Sequence, residues 1–186
     1  MNLKHVINKK ITSCLYSLNE DTKSYTNNLL DMKIKFKLVY NNSHFFLLQF
    51  FEKFFTFVPS FVYFNNQYVF YFIPSKKNRL INAKFSAKKA AFFKKFTKKI
   101  TFVIYDEPIK MSQLVRNLFQ HIPIHFLEYK VERLDSKLIS VYVFTNESHL
   151  KFGLGQKGSY IKTINDLMHS CLDQRITLYL RSIGNY

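Results

Sequence analysis

Residues 154–162 read Leu-Gly-Gln-Lys-Gly-Ser-Tyr-Ile-Lys, and Gly155 and Gly158 are two of only four glycines in a chain of 186 residues. A chain this poor in glycine has reason to set two of them three apart where a backbone must come close to a ligand. Lacking Cβ atoms, Gly155 and Gly158 would let a sugar-phosphate chain approach. Ser159 would open a helix whose free N–H groups and dipole favour a phosphate. Lys157 and Lys162 add cations. Gln156 completes the loop, and Leu154 and Ile161 offer apolar walls for bases, closed on the far side by a strand. The chemistry is binding of a polyanion.

A second group carries the same sign. Lys76, Lys77, Arg79, Lys84, Lys88, Lys89, Lys94, Lys95, Lys98 and Lys99 lie in a stretch with no acidic residue from Lys53 to Tyr105. Phe85, Phe92, Phe93 and Phe96 are interleaved. A solvated helical face normally mixes both signs, whereas ten cations without an anion repel one another. The stretch therefore reads as a phosphate contact, with its Phe residues serving mainly in packing. The whole chain has a net charge of +16, of which residues 1–106 hold +13 and residues 107–186 hold +3. That balance points to nucleic acid or an anionic membrane surface as partner.

Enzyme chemistry finds no support. The six histidines form no H-E-x-x-H pattern and no cluster with carboxylates, and there is no G-x-S-x-G or P-loop. The acids are too few and scattered for paired-carboxylate catalysis. No metal or cofactor is expected. Cys14 and Cys171 are far apart and read as reduced packing residues. Residues 1–20 lack the apolar segment of a signal peptide and contain Glu20 and Asp21, which also suits a transit peptide poorly. The Phe-rich run from Phe45 to Ile73 is interrupted by Glu52 and Lys53, so it reads as a helix plus hairpin and not as a membrane span.

These features need elements to hold them. Asp106-Glu107-Pro108 marks the boundary between a basic, Phe-rich α/β segment (1–106) and a second domain (107–186). In the first, a partly helical lead-in runs to about Leu30. An alternating strand follows from Lys33 to Tyr40, with Ile34, Phe36 and Leu38 on one face. Then come a helix over 44–57, a hairpin of 61–64 and 68–72 around Asn65-Asn66-Gln67, a single basic helix over 83–99, and a strand over 100–105. In the second, a helix covers 111–122, with Leu114, Val115, Leu118 and Ile122 on one face, and Pro123 ends it. Strands carry Leu127, Tyr129 and Val131, then Ile139, Val141 and Val143, joined by a turn over 134–137. A short helix from Glu147 leads to the glycine loop, and a helix over 159–172 and a strand with Ile176, Leu178 and Leu180 close the chain. No internal repeat is visible.

An apolar residue followed by G-x-x-G, within the order helix, strand, strand, helix, helix, strand, resembles the type II KH module, which implies an α+β fold. In that module the glycine loop lies against about four single-stranded nucleotides, although such modules also serve as protein-contact scaffolds. The alternative KH arrangement needs a further strand and helix, and only five residues follow Arg181. Gly153 and Gln156 depart from the usual aliphatic and basic residues.

Two families share the pattern. His121-Ile122-Pro123, Glu147-Ser148, the glycine loop, Ile161-Lys162-x-Ile164 and Ile176-x-Leu178-x-Leu180 are similar to the C-terminal KH domain of Era-type GTPases. Their GTPase motifs are missing here. Val131-Glu132-Arg133, the strand over 138–144 and Gly155–Gly158 resemble the KH-bearing half of small-subunit ribosomal protein three. The AT-rich coding bias, with Lys, Phe, Asn, Tyr and Ile abundant, suggests an organelle-encoded protein. The resemblance implies a structural component of a mitochondrial small ribosomal subunit. Its partners would be small-subunit rRNA, neighbouring ribosomal proteins and the mRNA path. An Era-like assembly factor and a peripheral membrane protein using the Phe-rich run stand as alternatives.

Overall fold

The alternation that begins at Lys33 does send Ile34 and Phe36 inward and Lys33, Lys35 and Lys37 outward. Only Lys33–Ile34 (β1) forms a ladder, however, antiparallel to Ile109–Lys110 (β5). Farther on, the Lys37 N–H donates to the Cys171 carbonyl at 2.7 Å. The segment is thus tied down by a helix end with a spare carbonyl, and the expected strand stops short. The structure is a computed structural model that describes residues 32–83, 86–133, 138–172 and 175–183. The expected helical lead-in to Leu30, the turn over 134–137, Cys14, Lys84 and Phe85 lie outside the described residues.

Helix α1 spans Asn42–Phe55. Asn41 caps it: its side chain accepts from the His44 N–H, and His44 Nδ1 accepts from the Asn41 N–H, which satisfies two of the orphan donors. Thr56, at φ 61°, ends it. Leu47, Phe51 and Phe55, spaced three to four residues apart, form its buried face. Strands β2 (Phe61–Phe64) and β3 (Tyr68–Ile73) make the expected hairpin, with Phe61 opposite Phe72 and Phe64 opposite Val69.

The basic stretch is not one helix. It forms α2 (Ser75–Ala83) and α3 (Ser86–Phe93), then a turn, and Lys99 begins β4 (Lys99–Ile104), which pairs parallel to β3. A parallel return needs a crossover of a dozen or more residues that carries the chain back along the sheet, and here residues 74–98 supply it with two helices and a turn.

The second half runs α4 (Met111–Leu118), β6 (Phe126–Arg133), β7 (Leu138–Thr145), α5 (Glu147–Leu154), a 3-10 turn over Gln156–Gly158, α6 (Ser159–Cys171) and β8 (Arg175–Ser182). Helix α4 ends a turn before Pro123. Its buried residues Met111, Leu114, Val115 and Leu118 keep the helical spacing. β6 pairs antiparallel and β8 parallel to β7, so β7 is the central strand.

The fold is α+β, and it contains a repeat invisible in the sequence. From α1 to β4 the order is helix, strand, strand, helix, helix, strand, in a sheet ordered β2-β3-β4, antiparallel then parallel. From α4 to β8 the same order builds the sheet β6-β7-β8 with the same strand directions. The first copy has no glycine between its paired helices, where Ala83 to Ser86 stand.

The copies share apolar material. One face of the first sheet (Val62, Val69, Tyr71, Ile73) packs with Leu47, Phe51 and Phe55 of α1 and Phe92 of α3. The other face (Phe61, Phe70, Phe72, Val103) joins α4, α6 and the inner residues of the second sheet, Ile139, Val141, Val143, Ile176 and Leu178, in one cluster. All six residues of β3 are buried in consequence. The Cys171 thiol is free and buried. No helix among the described residues is long and apolar enough to cross a membrane.

Candidate nucleic-acid interface

The glycine loop owes its shape to backbone angles that few side chains tolerate. Gly155, at φ 73° and ψ 177°, ends α5 through its N–H to the Lys151 carbonyl (3.0 Å). That conformation is essentially reserved for glycine. Lys157 (φ 52°) and Gly158 (φ 74°) are left-handed, and the Gly158 N–H donates to the Gly155 carbonyl at 3.1 Å. Gly158 then stands at the N-cap of α6. The result is a tight knuckle with exposed Gln156 and Lys157 at its tip.

The two glycines do different work. A Cβ on Gly158 would meet nothing within 4 Å, so this is where a ligand backbone can approach. A Cβ on Gly155 would lie 2.7 Å from Tyr160 Cβ, 2.9 Å from its N and 3.1 Å from the Tyr68 hydroxyl. The expectation of an open notch at both positions therefore holds for Gly158 alone, because Gly155 is packed against protein. Gly153 also has a steric reason: a Cβ there would collide with Leu180 and Ile122, so glycine lets α5 sit close on β8.

Ser159 does open α6, and its hydroxyl shares a hydrogen bond with that of Tyr68 (3.0 Å). Ile161 is half-buried against the main core, and Leu154 is half-buried at the end of α5. The second strand cannot close a groove beside the loop, because β7 is paired on both sides. The free edge next to α5 and α6 belongs to β8. Lys162 is exposed one turn into α6.

Beside the knuckle lies a cavity of about 660 Å³ between the β2–β3 turn and the start of α6. Asn65, Asn66 and Gln67 line one side, and Gln156, Lys157, Ser159, Lys162, Thr163 and Asp166 the other. Asn65 Oδ1 accepts from the N–H groups of Gln67 and Tyr68, both at 2.9 Å, which fixes the turn. Asn65 Nδ2 donates to Thr163 Oγ1 at 2.8 Å, and Lys98 Nζ donates to the Asn65 carbonyl at 2.7 Å. Asn65, Gln67, Tyr68 and Thr163 were not foreseen as site residues. Nothing in sequence spacing ties a hairpin turn to a helix start some ninety positions away.

The basic residues are spread over several elements. Lys76, Lys77 and Arg79 sit on α2, Lys88 and Lys89 on α3, Lys94 and Lys95 in the turn that follows, Lys98 just ahead of β4, and Lys99 in it. Among the described residues of this stretch, four lie over aromatic rings: Lys77 over Phe57 (5.8 Å), Lys89 over Phe93 (5.8 Å) and Phe102 (5.5 Å), Lys98 over Phe64 (5.4 Å) and Lys99 over Tyr68 (5.7 Å). Of the interleaved Phe residues, Phe92 is fully buried and Phe96 half-buried against the same core, while Phe93 is 36% exposed.

No protein-family model matches this chain. No curated protein matches it. Among solved structures, the crystal structure of APE1850 is similar, with a TM-score of 0.59 at 13% sequence identity, over 76% of this chain and 100% of that one. At that identity the likeness concerns the fold alone.

Proposed function

We propose that residues 107–186 form a type II KH unit and that the protein is a non-catalytic RNA-binding component of a mitochondrial small ribosomal subunit. The observation that carries this reading is the knuckle. An exposed lysine stands between two positive-φ glycines at the head of a helix, beside the exposed Lys162, and Gly158 is open to an approaching backbone. Such a loop suits sugar-phosphate contact, with Lys157 and Lys162 supplying charge and the head of α6 supplying N–H groups. The basic first half adds long-range attraction for a polyanion.

The test is sedimentation of the tagged protein from mitochondrial lysate through a gradient with magnesium and low salt. Co-migration with small subunits, lost on nuclease treatment, is the expected result. Absence from small subunits would remove the ribosomal role. A second reading, an Era-like assembly factor without its GTPase domain, is favoured by the local match around the loop, where His121-Ile122-Pro123 joins α4 to β6 and Glu147-Ser148 opens α5. Presence on precursor particles and absence from mature ones would select it.

A further inference from the structure

The repeated topology gives the first copy a counterpart of the KH groove, the space bounded by its paired helices and the free edge of its last strand. That space is a cavity of about 530 Å³. Asn78 of α2, Lys89 and Phe93 of α3, and β4 line one side. Gln120, His121, Phe152 and Gly155 of the second copy line the other. None of the described residues lining it is acidic.

Its chemistry is that of a base and its phosphate. Phe152 is 66% exposed and Phe93 36%, so aromatic faces are offered to a ligand. Lys89 and Lys99 stand at the wall over Phe102 and Tyr68. The Lys99 and Tyr105 N–H groups point back toward the Gln67 and Ile73 carbonyls. Alternation along the strand therefore turns the backbone of Ile100, Phe102 and Ile104 toward the cavity. On that edge the carbonyls of Phe102 and Ile104 already accept from Gln120 and Asn117, and the N–H groups beside them are placed to donate to a base edge. Gly155 forms part of the wall, so the cavity adjoins the glycine knuckle.

We infer that this cavity is a second nucleotide site, in which a single-stranded ribonucleotide stacks on Phe152 and Phe93 with its phosphate on Lys89 and Lys99. The strand would be the same one that crosses Lys157, so the inference rests on the RNA-binding reading above. The first copy has no glycine between its paired helices but does have the groove, with the second copy supplying its outer wall.

The experiment uses the full chain and a fluorescein-labelled 12-nucleotide RNA of mixed sequence carrying 4-thiouridine. Crosslinked peptides are mapped on the unaltered protein, and affinity is measured for F152A, K89Q and K157E. Phe152 is exposed enough for removal to leave the fold intact. The expected results are crosslinks to peptides containing Phe93, Phe102 or Phe152, and about a tenfold affinity loss for F152A, the scale of one stacked base. Crosslinks confined to the knuckle, with F152A and K89Q binding normally and K157E weakened, would overturn this inference and leave the parent reading standing. No binding by the unaltered chain would overturn both.

Discussion

The hydroxyls of Tyr68 and Ser159, 91 positions apart in the chain, share a hydrogen bond of 3.0 Å. It joins the middle strand of the first sheet to the first residue of the helix behind the glycine knuckle. Removing it with Tyr68→Phe keeps the buried ring, so the expected loss of stability is about 1 kcal/mol, read by denaturant unfolding. RNA affinity should fall by more than that stability change accounts for, because the knuckle loses its anchor. An affinity equal to that of the unaltered protein would show that the bond is structural only.

Gly155 and Gly158 should separate stability from binding. Gly155→Ala meets both an unfavourable φ and Tyr160, and the strain should lower stability by roughly 1–3 kcal/mol. Gly158→Ala has open space and faces only the left-handed penalty of about 1 kcal/mol. Gly158→Asp places a carboxylate where phosphate would lie, and its RNA affinity should drop well below that of Gly158→Ala. Equal affinities for the Asp and Ala variants would remove phosphate from that position.

Neutralising Lys88, Lys89, Lys94, Lys95 and Lys99 to Gln should flatten the dependence of log affinity on log salt. Each lysine that touches phosphate in a single strand contributes a slope of about 0.7. A slope matching the unaltered protein would take α3 and the following turn out of the interface.

His121 packs edge-on against Tyr160 at 4.7 Å and its Nε2 lies 3.3 Å from the Phe152 carbonyl. Burial holds its pKa below the usual 6.5, more than that carbonyl raises it. The unfolded chain therefore binds the proton more readily. The stability associated with the neutral ring is fully present above pH 6.5 and is lost as pH falls through the depressed folded value. Melting temperatures measured downward from pH 7.5 should decline, and His121→Gln should blunt the decline.

Burial raises the pKa of the Cys171 thiol, which leaves little thiolate to react. In a Cys14→Ser background, reaction with a disulfide reagent should be far slower than for free cysteine and should accelerate on adding denaturant. Rapid labelling of the folded protein would mean that α6 opens readily.

Much of this architecture could be read from period and punctuation. The hairpin around Asn65-Asn66-Gln67, the inward residues Leu114, Val115 and Leu118 of α4 and the order around Gly155 and Gly158 followed from alternation, helical spacing and turn residues. The break between α2 and α3 did not. Lysines on either side obscured it, and no glycine or proline marks it. The repeat was hidden for a related reason: chain direction and sheet order recur, but the side chains that would advertise them do not. Phe92 and Phe93 are adjacent and chemically identical, yet one is sealed in the core and the other lines a groove, a difference set by partners far away in sequence. The same holds for Gly155, whose conformational need was readable while its contact with Tyr68 was not.

The burial of β3 on both faces has a consequence for synthesis. Its Val69, Tyr71 and Ile73 side can be covered once Phe92 has left the ribosome, but its Phe70 and Phe72 side belongs to a cluster that extends to Leu178. Until the last strand has been made, that aromatic surface is only partly covered, with Phe36 and Tyr105 against Phe72. A chain stalled or truncated before its final strand should aggregate rather than linger as a folded half.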